Sequence, residues 1–175
     1  MKTPIHKLIT AAVFTGIIVL CSWLAVPAPI PFTLQALGIY ICCGVLGGKL
    51  ATLSTAMYIA LGAVGLPVLS GFQGGLGAIF GITGGFIMGF LIIPISFWVV
   101  EKTPIKKHSL ILGGVVGTTL CNLLGMIWYS TVYMKGSVGL AAAFTICVLP
   151  YIIPDAAKLW VAHLVSNRIN KAVKK

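Results

Sequence analysis

Three ionisable side chains interrupt the last apolar stretch of this chain: Asp155, Lys158 and His163. Asp155 and Lys158 are three positions apart, so on a helix they share one face and can meet. Asp155 follows Pro154, a residue suited to the first helical turn, where the positive end of the helix dipole favours a carboxylate. A carboxylate only accepts hydrogen bonds and an ammonium only donates them. The two can therefore satisfy each other as an ion pair that merely caps the helix, or line a pocket for a polar guest. Both readings stand at this point. His163 lies eight residues beyond Asp155, about 12 Å further along a helix rising 1.5 Å per residue. Alone on its helix face, it reads as a structural donor to a neighbouring helix.

No constellation of residues suggests catalysis. The chain lacks His-Glu-x-x-His and Gly-x-Ser-x-Gly, and no two acids share an apolar segment. His163 and Ser166 share a helix face, but no third group orients them. The glycines at 71, 74, 75, 77, 81, 84 and 85 are not a phosphate cradle, because no Gly-Lys-Ser/Thr follows. Before residue 78 they read as a mobile, gate-like loop; Gly81 and Gly85, four apart, read as helix contacts. With no ATPase motif, active transport would draw energy from another chain. One intramembrane acid and no inverted repeat argue against a secondary transporter. No cofactor is implied. Cys21, Cys42, Cys43, Cys121 and Cys147 lie in apolar runs without Cys-x-x-Cys spacing, and read as small buried hydrophobes.

The elements that must position these groups are set by composition. Of 175 residues, 59% are hydrophobic and 8% charged, with a mean hydropathy of +1.09. A soluble surface needs about a quarter of its residues charged, so the solvent here is lipid. Two acids, Glu101 and Asp155, face twelve Lys plus Arg, a formal net charge of +10. Those charges sit at the edges of apolar runs rather than on one water-facing patch, so they describe membrane orientation and not a nucleic-acid partner.

The apolar runs predict an all-α polytopic membrane protein, one integral domain over residues 1–175, with six transmembrane helices. The first span is Leu8–Val26, stopped by Pro27, Pro29 and Pro31. Lys2 and Lys7 before an apolar run resemble a signal peptide, but the run is long enough to cross. The second span is Leu34–Leu46, with Gly47, Gly48 and Lys49 as its turn, and the third runs from Leu50 to about Val64. After Gly65-Leu66-Pro67 and a glycine-rich segment, Leu69–Gly77, come a fourth span, Ala78–Val100, a polar loop, Glu101–His108, and a fifth span, Leu110–Tyr133. The run from Val138 to Ser166 is too long for one straight helix, and Pro150 and Pro154 divide it. It becomes a short outer helix, Leu140–Leu149, and a sixth span from Pro154 past Arg168.

This arrangement gathers Lys2, Lys7, Lys49, Lys102, Lys106, Lys107, Arg168, Lys171, Lys174 and Lys175 on one side and leaves Lys135 on the other. The positive-inside rule then predicts both termini cytoplasmic. The residues 31–35 and 70–75 fall on the outer side, with Asp155. On the first span, Ala11, Ala12, Thr15 and Gly16 form two overlapping small-x-x-x-small pairs. They serve either internal packing or docking of another membrane subunit.

Four motifs in this order resemble the BioY family, the biotin-specific substrate-binding (S) components of energy-coupling factor transporters. They are Pro31-Phe32-Thr33-Leu34-Gln35; Gly65-Leu66-Pro67-Val68 through Gly74-Gly75; Gly81-Ile82-Thr83-Gly84-Gly85-Phe86; and Pro150 to Lys158 with Asp155-x-x-Lys158. The family commonly has proline at Ile82, tyrosine at Phe86, and Pro-Gly-Asp where Ile153-Pro154-Asp155 stands. The resemblance implies a multi-pass protein of a prokaryotic cell membrane that captures biotin outside. It would dock on a membrane coupling subunit driven by two cytoplasmic ATPase subunits. Another heterocyclic carboxylate such as lipoate, or a purely structural membrane role, are the alternatives. In the favoured pose Asp155 and Lys158 hold the ureido ring, with Phe32, Phe86 or Trp160 as apolar walls. The valerate carboxylate then lies towards Gln35, Gln73 and glycine amides such as that of Gly74. The reversed pose, with Lys158 on the valerate carboxylate, stays open.

Overall fold

The computed structural model describes residues 4–26, 30–104 and 108–173. Pro27 and Pro29, and the basic residues Lys2, Lys106, Lys107, Lys174 and Lys175, lie outside the described residues. Helix α1 spans Pro4–Trp23 and is followed by two short strands, β1 (Ala25–Val26) and β2 (Phe32–Thr33). Helices α2 (Gln35–Leu46) and α3 (Gly48–Ala63) come next. After the glycine-rich loop, α4 (Leu76–Ile79), α5 (Gly84–Gly89) and α6 (Ile92–Glu101) stand where one span is expected. Then follow α7 (Ser109–Trp128), α8 (Leu140–Cys147) and α9 (Ile152–Val173).

The fold is mostly helical, as expected, with one small addition: β1 and β2 pair antiparallel, Ala25 with Thr33 and Val26 with Phe32. Two boundaries are corrected here. The fourth span is broken because Gly81 to Thr83 do not continue α4, and because Pro94 has no N–H for the carbonyl of Phe90. Leu91 turns back to Met88 instead, the kink that a proline imposes one turn upstream. The last span begins two residues early, at Ile152, so Pro154 sits within the first turn, where its missing donor costs nothing.

Four helical stretches are long and apolar enough to cross a membrane: Ile5–Trp23, Gly84–Glu101, Ser109–Tyr133 and Leu140–Ala172. Helix α2 is a shorter apolar helix; its 12 residues rise about 18 Å, less than a hydrocarbon core of about 30 Å.

Contacts define two ends of the bundle. At one end the α2–α3 junction meets the end of α6, the start of α7 and the last part of α9. Gly48 donates its N–H to the Glu101 carboxylate at 3.0 Å, and a Cβ on Gly48 would lie 2.4 Å from the Trp98 backbone. Asn170 donates to the Gly44 carbonyl at 2.9 Å. From this end towards the other, α1 and α3 run side by side in the same direction. Ser54 donates to the Ala11 carbonyl at 3.0 Å, and further along the Trp23 indole donates to the Pro67 carbonyl at 2.9 Å. Helices α6 and α7 touch through Gly113 and Gly117, where a Cβ would lie 2.5 and 2.6 Å from the Phe97 and Ile93 backbones. Small residues four apart bring membrane helices this close.

Candidate functional site

At the end that carries the β-hairpin and the glycine-rich loop, a cavity of about 350 Å³ opens among the helices. That volume lies at the lower end of small-molecule sites, about 300–1,000 Å³. The first turns of α9 supply Asp155 and Lys158, and both line the cavity. They also meet each other, Lys158 Nζ lying 3.0 Å from Asp155 Oδ1 with side chains 8% and 15% exposed. The two readings left open by the sequence are thus compatible in space: one pair, facing itself and a cavity.

The ammonium also sits 4.1 Å from the centroid of the Phe32 ring, a cation–π contact. Phe32 stacks in turn on Tyr151, ring centroids 6.5 Å apart, and the Tyr151 hydroxyl donates to the Ile30 carbonyl. Residues 30–33 and the turn before α9 are held together in this way. Phe32 is therefore a backing for Lys158 rather than a residue of the cavity wall.

Gln35 lines the cavity as the first residue of α2. It is buried, yet its side-chain nitrogen has no hydrogen-bond partner. Leaving such a donor unpaired costs about 1–3 kcal/mol, and its place on the cavity wall leaves it free to donate there. Gln73 also lines the cavity; its carbonyl accepts from the Leu69 N–H at 3.0 Å and closes the loop on itself. Within that loop Phe72 takes a positive φ of 57° and leans on Trp23, ring centroids 4.9 Å apart. Trp23 thus fastens the loop by a hydrogen bond at Pro67 and by ring contact at Phe72.

Phe86, on α5, is a cavity wall, its ring pressed on Gly125 of α7. Other proposed contacts lie elsewhere. Gly74 does not border the cavity; a Cβ there would lie 2.2 Å from the Leu66 carbonyl oxygen, so its backbone packs against the loop's own first residues. Trp160 is 60% exposed on the outer surface of α9, where its ring lies tilted against His163, and it does not line the cavity. His163 bonds Asn167 one turn along its own helix at 3.0 Å, not a neighbouring helix as expected.

The small residues of α1 divide. Ala11 and Thr15 are buried, with Thr15 donating to the Ser54 carbonyl at 3.1 Å; they pack α1 on α3. Ala12 and Gly16 are exposed, and a Cβ on Gly16 would meet nothing within 4 Å.

Sequence reasoning missed the polar residues that α7 and α5 bring to the cavity, Thr118, Asn122 and Thr83. An amide inside an apolar run was the available signal; the glutamines at 35 and 73 drew notice because they stand in loops or at a helix start, and Asn122 did not. Apolar walls with an acid, a base and three amides suit capture of a small neutral or anionic heterocycle. Among the described residues, no group of three or more His, Cys, Asp or Glu could hold a metal ion.

Comparison with known proteins places this arrangement. The model of the BioY family matches residues 1–175. The biotin transporter BioY of Thermotoga maritima is 35% identical over 170 residues, covering 95% of this chain and 96% of that protein. A probable biotin transporter BioY of Pyrococcus horikoshii is 36% identical over 141 residues, 81% of each chain. The crystal structure of an S-component for biotin from an ECF-type ABC transporter superposes with a TM-score of 0.85 at 27% identity, covering 98% of this chain and 95% of that one. Matched along its whole length by the family model, and over 95% of its length by the Thermotoga maritima relative, the chain belongs to the BioY family.

Proposed function

We propose that this protein is the biotin-capturing subunit of an energy-coupling factor transporter, not an enzyme. The observation that carries this reading is the Asp155–Lys158 pair, held at 3.0 Å on the wall of a cavity beside the unpartnered Gln35 amide. Biotin's ureido ring has two N–H donors and one carbonyl acceptor, which a carboxylate and an ammonium complement. Hydrogen bonds of this charged kind are the strong ones. Phe86 supplies an apolar wall, and Gln35 and Gln73 take the valerate end. The names of the relatives, biotin transporters from a bacterium and an archaeon, support both the substrate and a multi-pass place in a prokaryotic membrane.

Topology and partners belong to the same reading. Six crossings with both termini cytoplasmic put the cavity outside, supported by the ten-to-one division of basic residues. The exposed Ala12 and Gly16 offer a backbone-close face for a membrane coupling subunit, which two cytoplasmic ATPases would drive. Ala11 and Thr15 serve packing within the chain.

Titration of the purified chain in detergent with biotin and with lipoate tests the substrate. Binding of biotin, with loss of affinity in Asp155→Asn while the fold is retained, is the expected result. Preference for lipoate would replace the substrate. No binding of either ligand would leave Asp155–Lys158 as a structural staple.

A further inference from the structure

We infer that a second, lateral cavity between α7, α8 and α9 is a binding site for one acyl chain of a membrane phospholipid. The inference goes beyond the biotin reading and does not depend on it.

This cavity measures about 370 Å³ and shares only Thr118, Asn122 and Asp155 with the one described above. Its shape follows from how the helices meet. Helix α7 touches α9 at Gly114, where a Cβ would lie 2.5 Å from the Leu159 side chain. From that crossing the cavity runs along residues 115–123 of α7 and back along residues 152–159 of α9, with Phe144 and Val148 of α8 closing it. Eight residues of helix are a length of about 12 Å, and the volume spread over it gives a cross-section of about 30 Å². A helix with its side chains is about 10–12 Å across and needs roughly 80–110 Å². A slot this narrow takes one extended alkyl chain and no protein helix.

Its walls suit the same guest. The rim residues Val115, Leu123, Phe144 and Ile152 are between 41% and 52% exposed, all in apolar stretches long enough to cross a membrane. The floor residues Tyr40, Val148 and Leu159 are buried. The hydroxyls are already engaged. Thr119 donates to the Val115 carbonyl at 2.9 Å and Thr118 to the Gly114 carbonyl at 2.7 Å, while the Tyr40 hydroxyl shares a hydrogen bond with Thr118. Asp155 is paired with Lys158. Each water in a cavity needs about 2–4 polar partners, and only the Asn122 amide and one carboxylate oxygen remain for the whole space. An empty slot would forfeit the dispersion contacts of its lining. Chains of the surrounding lipid reach the rim directly, so one of them fills the slot and seals the bilayer side of the wall that carries Asp155.

The test reconstitutes the full-length chain in dioleoylphosphatidylcholine vesicles with a small fraction of phosphatidylcholine that carries a diazirine in one chain. After irradiation, peptide mass spectrometry locates the label. Lipid flowing past the outside labels exposed residues only, whereas a seated chain also labels the buried floor at Val148 and Leu159. Floor labelling is expected in the wild type, and its loss in at least one of Val115→Trp and Ala156→Phe, which put an aromatic ring into the slot. It should persist in Val116→Trp, a neighbour about as exposed as Val115 that borders neither cavity. Rim label without floor label in the wild type would overturn the inference. So would floor label undiminished in both filled variants, or abolished in Val116→Trp as well. Should one filled variant not fold, the other decides alone.

Discussion

Replacing Lys158 by methionine while also neutralising Asp155 separates a staple from a binding site. Methionine keeps the aliphatic stem over Phe32 and removes the charge. In Lys158→Met the Asp155 carboxylate, 15% exposed, loses its ion-pair partner. Breaking a buried pair costs about 3–5 kcal/mol, and the α9 dipole at the first turn offsets about 0.3–1 kcal/mol of that. Net destabilisation of about 2–4 kcal/mol follows. Asp155→Asn leaves the ammonium on the Phe32 ring, a contact worth about 0.5–2 kcal/mol, and destabilises by about 1–4 kcal/mol. With both charges gone nothing is stranded, and the double variant should lie within about 1 kcal/mol of the wild type. Unfolding of biotin-free protein by SDS titration in mixed micelles measures the cycle. The expected coupling is at least about 2 kcal/mol, against about 0.2–1 kcal/mol for exposed pairs; a value below about 0.5 kcal/mol would mean the pair does not interact. The decisive step uses the double variant. Losing two charge-assisted hydrogen bonds of about 1.5–3 kcal/mol each should lower biotin affinity by about 10²- to 10⁴-fold in a protein that folds normally. A stable double variant that binds biotin as the wild type does would refute the ligand role of both residues.

Two further perturbations test the walls and the outer face. A methyl added in Gly125→Ala would sit 2.4 Å from the Phe86 ring and push it towards the cavity; biotin affinity should fall about tenfold and recover in part with Phe86→Leu. Unchanged affinity in titration would show that the cavity does not shape the guest there. Ala11→Trp, at a site with no exposure, should prevent folding, seen as loss of the melting transition. Ala12→Trp and Gly16→Trp should leave biotin binding intact and abolish uptake by cells that carry the complete transporter; normal uptake in both variants would remove α1 as the docking face.

Much of the bundle was legible because lipid imposes simple rules. Each apolar run long enough to cross became helix within a few residues, since unpaired backbone in hydrocarbon is too costly to persist. Local breaks were less legible. The residues from Ala78 to Val100 carry no charge and are mostly apolar, so hydropathy joins them; Pro94 and the glycines at 81, 84, 85 and 89 mark the interruptions. The β-hairpin escaped because two-residue strands have no periodicity to read. Its register is fixed by tertiary contacts at Phe32, Tyr151 and Ile30, residues far apart in sequence.

The site was legible where charge made it conspicuous and obscure where position decided. Asp155 and Lys158 are costly in a membrane span, and their spacing alone required that they meet. Direction around a helix is a different matter. Ala11 and Ala12 are adjacent and chemically identical, yet one is buried on α3 and the other exposed, because α1 has apolar residues on every side and so no pattern to orient it. Phe32, Phe86 and Trp160 were all candidates for an aromatic wall, and packing places Phe86 alone of the three on the cavity. Asn122 shows the general rule. A neutral amide in a span costs less than a charge and so attracts less notice, but it needs a partner just as surely. In a chain with so few polar groups, the unpartnered amides are as informative as the ion pair. Gln35 is such a residue, its buried side-chain nitrogen without a partner, and it lines the same cavity as Asp155 and Asn122.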